Sequence, residues 1–177
     1  MRLHGISRDA FDRYTSKTPA WFYEVVAPGF KYNMPDTAAA MGIHQLKKIN
    51  AFLQKRESLA ARFDAELADL PLILPARPAD EGSNHAWHLY PVRLKPEAGI
   101  CRDDFIVAMA ERGIGCSVHF IPLHRQPVWR DGYELKREDF PVSDAAFEAE
   151  VTLPLYTRMS DDDQSRVIAA VREILGK

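Results

Sequence analysis

Two prolines, Pro35 and Pro71, fence off a stretch that reads as helix almost from end to end. Leu46, Ile49, Leu53, Ala60, Phe63 and Leu67 recur at three-, four- and seven-residue steps, which places them on one face of an α-helix. Arg56 interrupts the stripe. Pro35 disfavours helical geometry in the residue before it, and the Asp36 carboxylate can cap the free N–H groups of the first turn. A single helix over 36–68 would be about 45–50 Å long at 1.5 Å per residue. That exceeds the width of a small domain, so the spacing predicts an element that braces two lobes or lines a subunit interface.

The pattern changes on either side. In residues 1–35, Pro19, Pro28, Gly29 and Pro35 forbid a long helix, while Trp21, Phe22, Tyr23, Phe30 and Tyr32 demand burial. The segment is expected to be irregular and to pack on a neighbouring lobe or interface. After the helix, residues 69–177 form a third region. Pro71, Pro75 and Pro78 close the helix off. Residues 86–94 read as a strand, and Pro91 assigns it to an edge or a bulge. Residues 102–112 read as a helix with Phe105, Ile106 and Met109 inward, ended by Gly113. A second strand is expected over 114–121 and a proline-rich loop over 122–142. Ser143 is expected to cap a short helix reaching about Glu150. A short extended piece over 151–155 follows, then a terminal helix begun by Ser160 and its three aspartates, which suit the positive end of the helix dipole. Val167, Ile168, Val171, Ile174 and Leu175 mark its buried face. This alternation predicts a small α/β lobe with helices against a sheet.

Composition excludes several functions. The chain of 177 residues has a formal net charge of -2, which offers no basic excess to hold a phosphate backbone, so nucleic acid is not an expected partner. Cys101 and Cys116 are the only cysteines and make no disulfide framework. No apolar run approaches 18 residues, so no membrane span is expected, and the first residues lack the apolar run of a signal peptide. A cytoplasmic location is expected.

Two clusters could carry chemistry. In the run from Gly29 to Asp36, Lys31 and Asn33 place a cation and an amide donor just before a helix N-terminus, which favours an anion such as phosphate. A solvated lysine and a turn asparagine explain the same residues. The second cluster runs from Cys116 to His124. His119 follows a strand and His124 sits in the loop beyond it, where sites tend to gather. Both histidines fit a structural role, and both fit substrate contact. A zinc site of Cys116, His119 and His124 would need a fourth ligand or an open position, and no signature supplies one. Arg8 could hold an anion or be solvated.

Taken as a set, these runs resemble the DegT/StrS-type of pyridoxal-phosphate-dependent sugar aminotransferases across essentially the whole chain. The family carries a histidine-glycine segment like Leu3-His4-Gly5-Ile6-Ser7-Arg8, a run like Gly29-Phe30-Lys31-Tyr32-Asn33-Met34, and an alanine-rich helix start like Asp36-Thr37-Ala38-Ala39-Ala40. Further on it has a strand and loop similar to Val118-His119-Phe120-Ile121-Pro122-Leu123-His124, then Leu153-Pro154-Leu155 and a terminal helix. The resemblance implies the C-terminal part of a fold type I enzyme, an α/β lobe with a short, mainly antiparallel sheet. It implies a homodimer, or pairing with a complementary N-terminal half, and a nucleotide-sugar substrate aminated from an amino acid such as glutamate. It also implies that Lys31 and Asn33 contact the cofactor phosphate of the other subunit. His119, Phe120, His124 and Arg8 would face the substrate.

The sequence departs from the family in two ways. Many members have asparagine where Lys31 sits and arginine where Asn33 sits. The family's Schiff-base lysine lies upstream of the histidine-glycine run, and neither Lys17 nor Lys31 stands in its context. Covalent amine catalysis needs that lysine, so no catalytic residue is assigned within these residues. The chain is expected to be a fragment or split half that is inactive alone. A non-catalytic module for dimerisation or sugar-nucleotide binding is the alternative.

Overall fold

The computed structural model describes residues 4–7, 24–80 and 83–176. The expected burial of Trp21, Phe22 and Tyr23 lies outside the described residues. The chain divides into two compact units, residues 1–49 and 50–177.

In the first unit, two glycines let two backbone segments touch. A Cβ on Gly5 would lie 2.0 Å from the Ala27 carbonyl oxygen, and one on Gly29 would lie 2.0 Å from the Gly5 nitrogen. Gly5 also sits at φ 70°, a conformation that side chains disfavour. The close approach is held by bonds from Val26 N–H to Gly5 O at 2.9 Å and from His4 N–H to Phe30 O at 3.0 Å, and Ile6 pairs with Val25 in an antiparallel bridge. The chain then leads into helix α1 (Asp36–Leu46), which buries none of its residues. Asp36 is its first helical residue and not its cap. Pro35 holds the cap position without a side-chain bond, and Asp36 instead puts a negative charge in the first turn, where the dipole favours it.

The stretch expected to be one long helix is two. α1 ends at Leu46, a turn follows at Lys47 and Lys48, and α2 runs over Ile49–Leu67. Lys48 N–H bonds to Gln45 O at 3.0 Å, a three-residue closure of the kind that tightens a helix end. Leu46 and Ile49 are 68% and 46% exposed, so no apolar packing holds the stripe straight across this point. The buried residues of α2 all lie in its far half, Leu59, Ala60, Phe63 and Leu67.

The second unit is built on a three-stranded antiparallel sheet in the order β1 (Leu72–Ile73), β2 (Tyr90–Leu94), β3 (Glu150–Leu153). Strand β2 begins four residues later than expected and is central, although it contains Pro91. β1 pairs only with Arg93 and Leu94, while β3 spans Tyr90 to Arg93. Beside Pro91 the β1 flank is therefore open, and the ladder requires no donor there. Trp87 precedes the strand at φ 44°, buried with its indole N–H donated to Glu57.

The expected strand over 114–121 contracts to a single bridge. Ser117 exchanges both backbone bonds with Thr152, at 3.3 and 2.7 Å. Gly113 and Gly115 interrupt the run on its near side, leaving little to propagate a ladder.

Helix α3 (Arg102–Glu111) buries Phe105 and Met109 and ends with Gly113 at φ 72°. A one-and-a-half-turn helix α4 (Pro127–Gly132) lies in the expected loop. α5 (Pro141–Ala149) starts two residues before Ser143, with Phe140 at its cap; Pro141 takes the first helical position, where its missing N–H costs nothing. α6 (Asp161–Ile174) has the expected Ser160 cap, closed into a capping box by Asp163. Its face of Val167, Ile168 and Val171 joins Phe63, Tyr90, Phe105 and Val151 in one core. Gln164, fully buried on the same helix, donates to the Leu59 carbonyl at 2.7 Å and so ties α6 to α2.

Candidate functional site

The residues selected from the sequence fall into the two units. In the first, Phe30 and Tyr32 stack with ring centroids 5.0 Å apart and planes 8° off parallel. Lys31 lies between these rings in the chain and Asn33 follows Tyr32. Both are exposed. Among the described residues no acid lies within ion-pair distance of Lys31. An ammonium and an amide with uncommitted donors are a donor set that fits an oxyanion. Arg8 lies outside the described residues.

In the second unit, the Ser117–Thr152 bridge sets the position of His119. Two residues beyond the bridge, the His119 ring places Nδ1 3.0 Å from the Thr152 hydroxyl. That hydroxyl is 2.6 Å from Glu150 Oε1, and Glu150 Oε2 accepts the His119 backbone N–H at 3.1 Å. His119 and Thr152 line an open pocket of about 300 Å³ with His88, Cys116, Ser117 and Tyr156. Phe120 is 75% exposed, its ring meeting His119 edge-on at 4.7 Å.

His124 does not share this pocket. It is buried, stacked on Phe140 at 4.7 Å, with Nε2 3.3 Å from Asp144 Oδ1. Asp144 also accepts from Arg125 at 2.6 Å and from Arg137 at 2.9 and 3.0 Å. The Arg137 bonds, with help from Arg125 and His124, hold its carboxyl well below the usual range, at about 2. Arg125 lies over the Phe147 ring at 4.5 Å. The loop after His119 is thereby clamped to α5.

The zinc arrangement does not form. Burial pushes the Cys116 thiol up to about 11, away from the thiolate that zinc requires. His119 and His124 are committed to different partners. Among the described residues no group of three or more metal-ligating side chains converges. A larger open groove of the second unit, about 830 Å³, is lined by Ile73, Arg93, Cys101, Pro141 and Val142 among others, and neither His119, Phe120 nor His124 lines it.

Reading the sequence alone missed Glu150 and Thr152, which hold His119, and the acids that hold the loop. Asp144 and Glu148 stand four apart on α5, so one helical face carries both. Arg125 and Arg137 in the preceding loop are their natural partners. That spacing was the available signal.

Among the described residues no helix is long and apolar enough to cross a membrane. Comparison with known proteins agrees along the whole chain. MJ1066, an uncharacterized protein of Methanocaldococcus jannaschii, is 43% identical over 179 residues, covering 100% of this chain and 46% of its own length. The spore coat polysaccharide biosynthesis protein SpsC of Bacillus subtilis is 41% identical, covering 99% of this chain and 45% of its own. Among solved structures, Spr1654 of Streptococcus pneumoniae, assigned as a sugar aminotransferase, superposes in its PMP-form with a TM-score of 0.78 at 29% identity. That match covers 99% of this chain and 43% of that one. Its PLP-form gives 0.76. The chain thus spans a little under half the length of the relatives it matches. Residues 1–172 match the DegT/DnrJ/EryC1/StrS aminotransferase family, and the chain belongs to that family.

Proposed function

We propose that this chain supplies the C-terminal part of a pyridoxal-phosphate-dependent aminotransferase that aminates a keto-sugar nucleotide at the expense of an amino acid such as glutamate. The observation that carries this reading is the family match over residues 1–172. Pyridoxal phosphate, when bound, supplies the electron sink for moving an amino group. This chain's own residues bind and orient. Lys31 and Asn33 hold the cofactor phosphate, reaching the site of the opposite subunit in a homodimer or joining a complementary N-terminal half. Their exposure, with no side-chain partner among the described residues, supports that role. His119 and Phe120 face the sugar nucleotide across the open pocket, with Arg8 as a further contact. His124 shapes the same loop from beneath, through its stack on Phe140 and its bond to Asp144.

The reaction also requires a lysine in covalent reach of the cofactor. No lysine here stands in the family's context for it, so the 177 residues are inactive alone. Two measurements test this. Borohydride reduction of the chain with pyridoxal phosphate is expected to leave no stoichiometric adduct on any one lysine, and such an adduct would refute the assignment. Mixing the chain with the lysine-bearing half of a related enzyme is expected to restore glutamate-dependent amination, and Lys31→Ala is expected to weaken cofactor retention in the mixture.

A second reading, a non-catalytic module for dimerisation or sugar-nucleotide binding, draws support from α1. Met41, Ile43 and Leu46 are all more than half exposed on a helix that buries nothing. It predicts a stable assembly, with no amination in any mixture.

A further inference from the structure

The two residues behind His119 determine which of its nitrogens carries the proton. An ionised carboxylate has no proton to give, so both Glu150 oxygens can only accept. One takes the His119 backbone N–H at 3.1 Å. The other lies 2.6 Å from the Thr152 hydroxyl. At that separation the hydroxyl must donate, because the alternative opposes two lone pairs at contact distance. A threonine hydroxyl has one proton. With that proton donated in the bond to Glu150, the hydroxyl can only accept from His119 Nδ1, 3.0 Å away. The imidazole is thereby committed to donate from Nδ1. Its Nε2 then carries the lone pair and has no protein partner among the described residues.

Burial reinforces the arrangement. Thr152 is 6% exposed and its backbone is locked on both sides, by Pro91 on β2 and by the bridge to Ser117. Its hydroxyl is held by its own bond to Glu150 at 2.6 Å. The His119 ring is pinned by a side chain whose own orientation the sheet fixes.

We propose that Thr152 and Glu150 are positioning residues that hold His119 as the Nδ1–H tautomer, so that Nε2 accepts a hydrogen bond from a donor on the ligand. The ligand class is one that brings a hydroxyl or amine into the pocket lined by His88, Ser117, His119 and Tyr156. A carboxylate or phosphate oxygen is disfavoured opposite that lone pair. The assignment rests on the reading of this pocket as the substrate-facing side of the lobe, and it adds what the pocket recognises there.

Long-range nitrogen–proton correlation spectra of the histidine-labelled full chain, recorded with the imidazoles neutral, test the tautomer directly. His119 is expected to report Nδ1–H. Thr152→Val removes the acceptor and is expected to shift the ring toward Nε2–H, and Thr152→Ser is expected to restore the wild-type signature. A wild-type ring in the Nε2–H form, or a valine variant with an unchanged ring, overturns the proposal. In the complemented enzyme, Thr152→Val is expected to raise KM for the sugar nucleotide about tenfold, the loss of roughly one hydrogen bond, with KM for glutamate unchanged. An equal rise in both sinks the ligand half of the proposal. The spectra need no turnover, so inert mixed halves would defeat the aminotransferase reading and leave the tautomer to be judged on its own.

Discussion

Three partners, His124, Arg125 and Arg137, converge on Asp144. Its side chain is only 13% exposed, so these bonds hold the loop after His119 in place. The sign of its pH effect follows from the lowered value. A carboxyl at about 2 in the folded chain, against an ordinary 3.8, stabilises the fold fully above about pH 4. That stabilisation is lost as pH falls toward 2. Asp144→Asn is expected to flatten this part of the acid-denaturation profile, measured by far-ultraviolet circular dichroism, while leaving its shape above pH 5 or so unchanged. Phe63 tests the core at the same scale. It is fully buried with its ring 5.0 Å from Tyr90, and Phe63→Ala is expected to cost about 3–5 kcal/mol, read as a lower midpoint in urea unfolding.

At the scale of elements, the helix ends show which local signals were sufficient. The Ser160 hydroxyl accepts from Asp163 N–H at 3.0 Å, and the Asp163 carboxylate accepts from Ser160 N–H at 3.0 Å. This reciprocal box is complete within four residues. Ser160→Ala is expected to destabilise the second unit by about 1 kcal/mol, and Ser160→Asp, which keeps an acceptor, by much less; thermal unfolding of the pair checks it. Pro35 and Pro141 behave alike in another respect. Each displaced an expected capping side chain, Asp36 or Ser143, by moving the helix start to the proline itself or the residue after it. The fixed φ of the ring decided the boundary before any side chain could.

Across the whole molecule, apolar exposure is denser in the first unit, although Val107, Phe120, Ile121, Leu123, Val128, Tyr133 and Val142 of the second are also more than half exposed. Val25, Val26, Phe30, Tyr32, Met34, Met41, Ile43 and Leu46 are all more than half exposed, and all lie in the first unit. Apolar surface in such quantity marks an interface or an aggregation hazard. The protein is therefore expected to sediment as an assembly larger than one chain. A variant carrying Met41→Lys, Ile43→Lys and Leu46→Lys is expected to shift toward the monomer with the second unit still folded. A wild-type chain that sediments cleanly as a monomer at tens of micromolar would contradict this.

The elements with complete local signals were legible in the sequence: the capped terminal helix, the amphipathic helix ended by Gly113, and the anchor residues Phe63, Phe105 and Val171. Residue type and spacing alone also singled out Lys31, Asn33 and His119 as candidates, because a cation, an amide and an imidazole are recognisable without a fold. Tertiary structure decided the rest. It divided one helical stripe at Lys47 and Lys48, since periodicity records a face but not whether anything covers it. It made a proline-bearing strand central, since the reach of β1 is set by pairing and not by β2's own residues. It separated His119 from His124, only five residues apart, by giving one to Thr152 and the other to Asp144. Those partners lie 33 and 20 residues further along the chain, and contacts over such separations are fixed only when the sheet and α5 close.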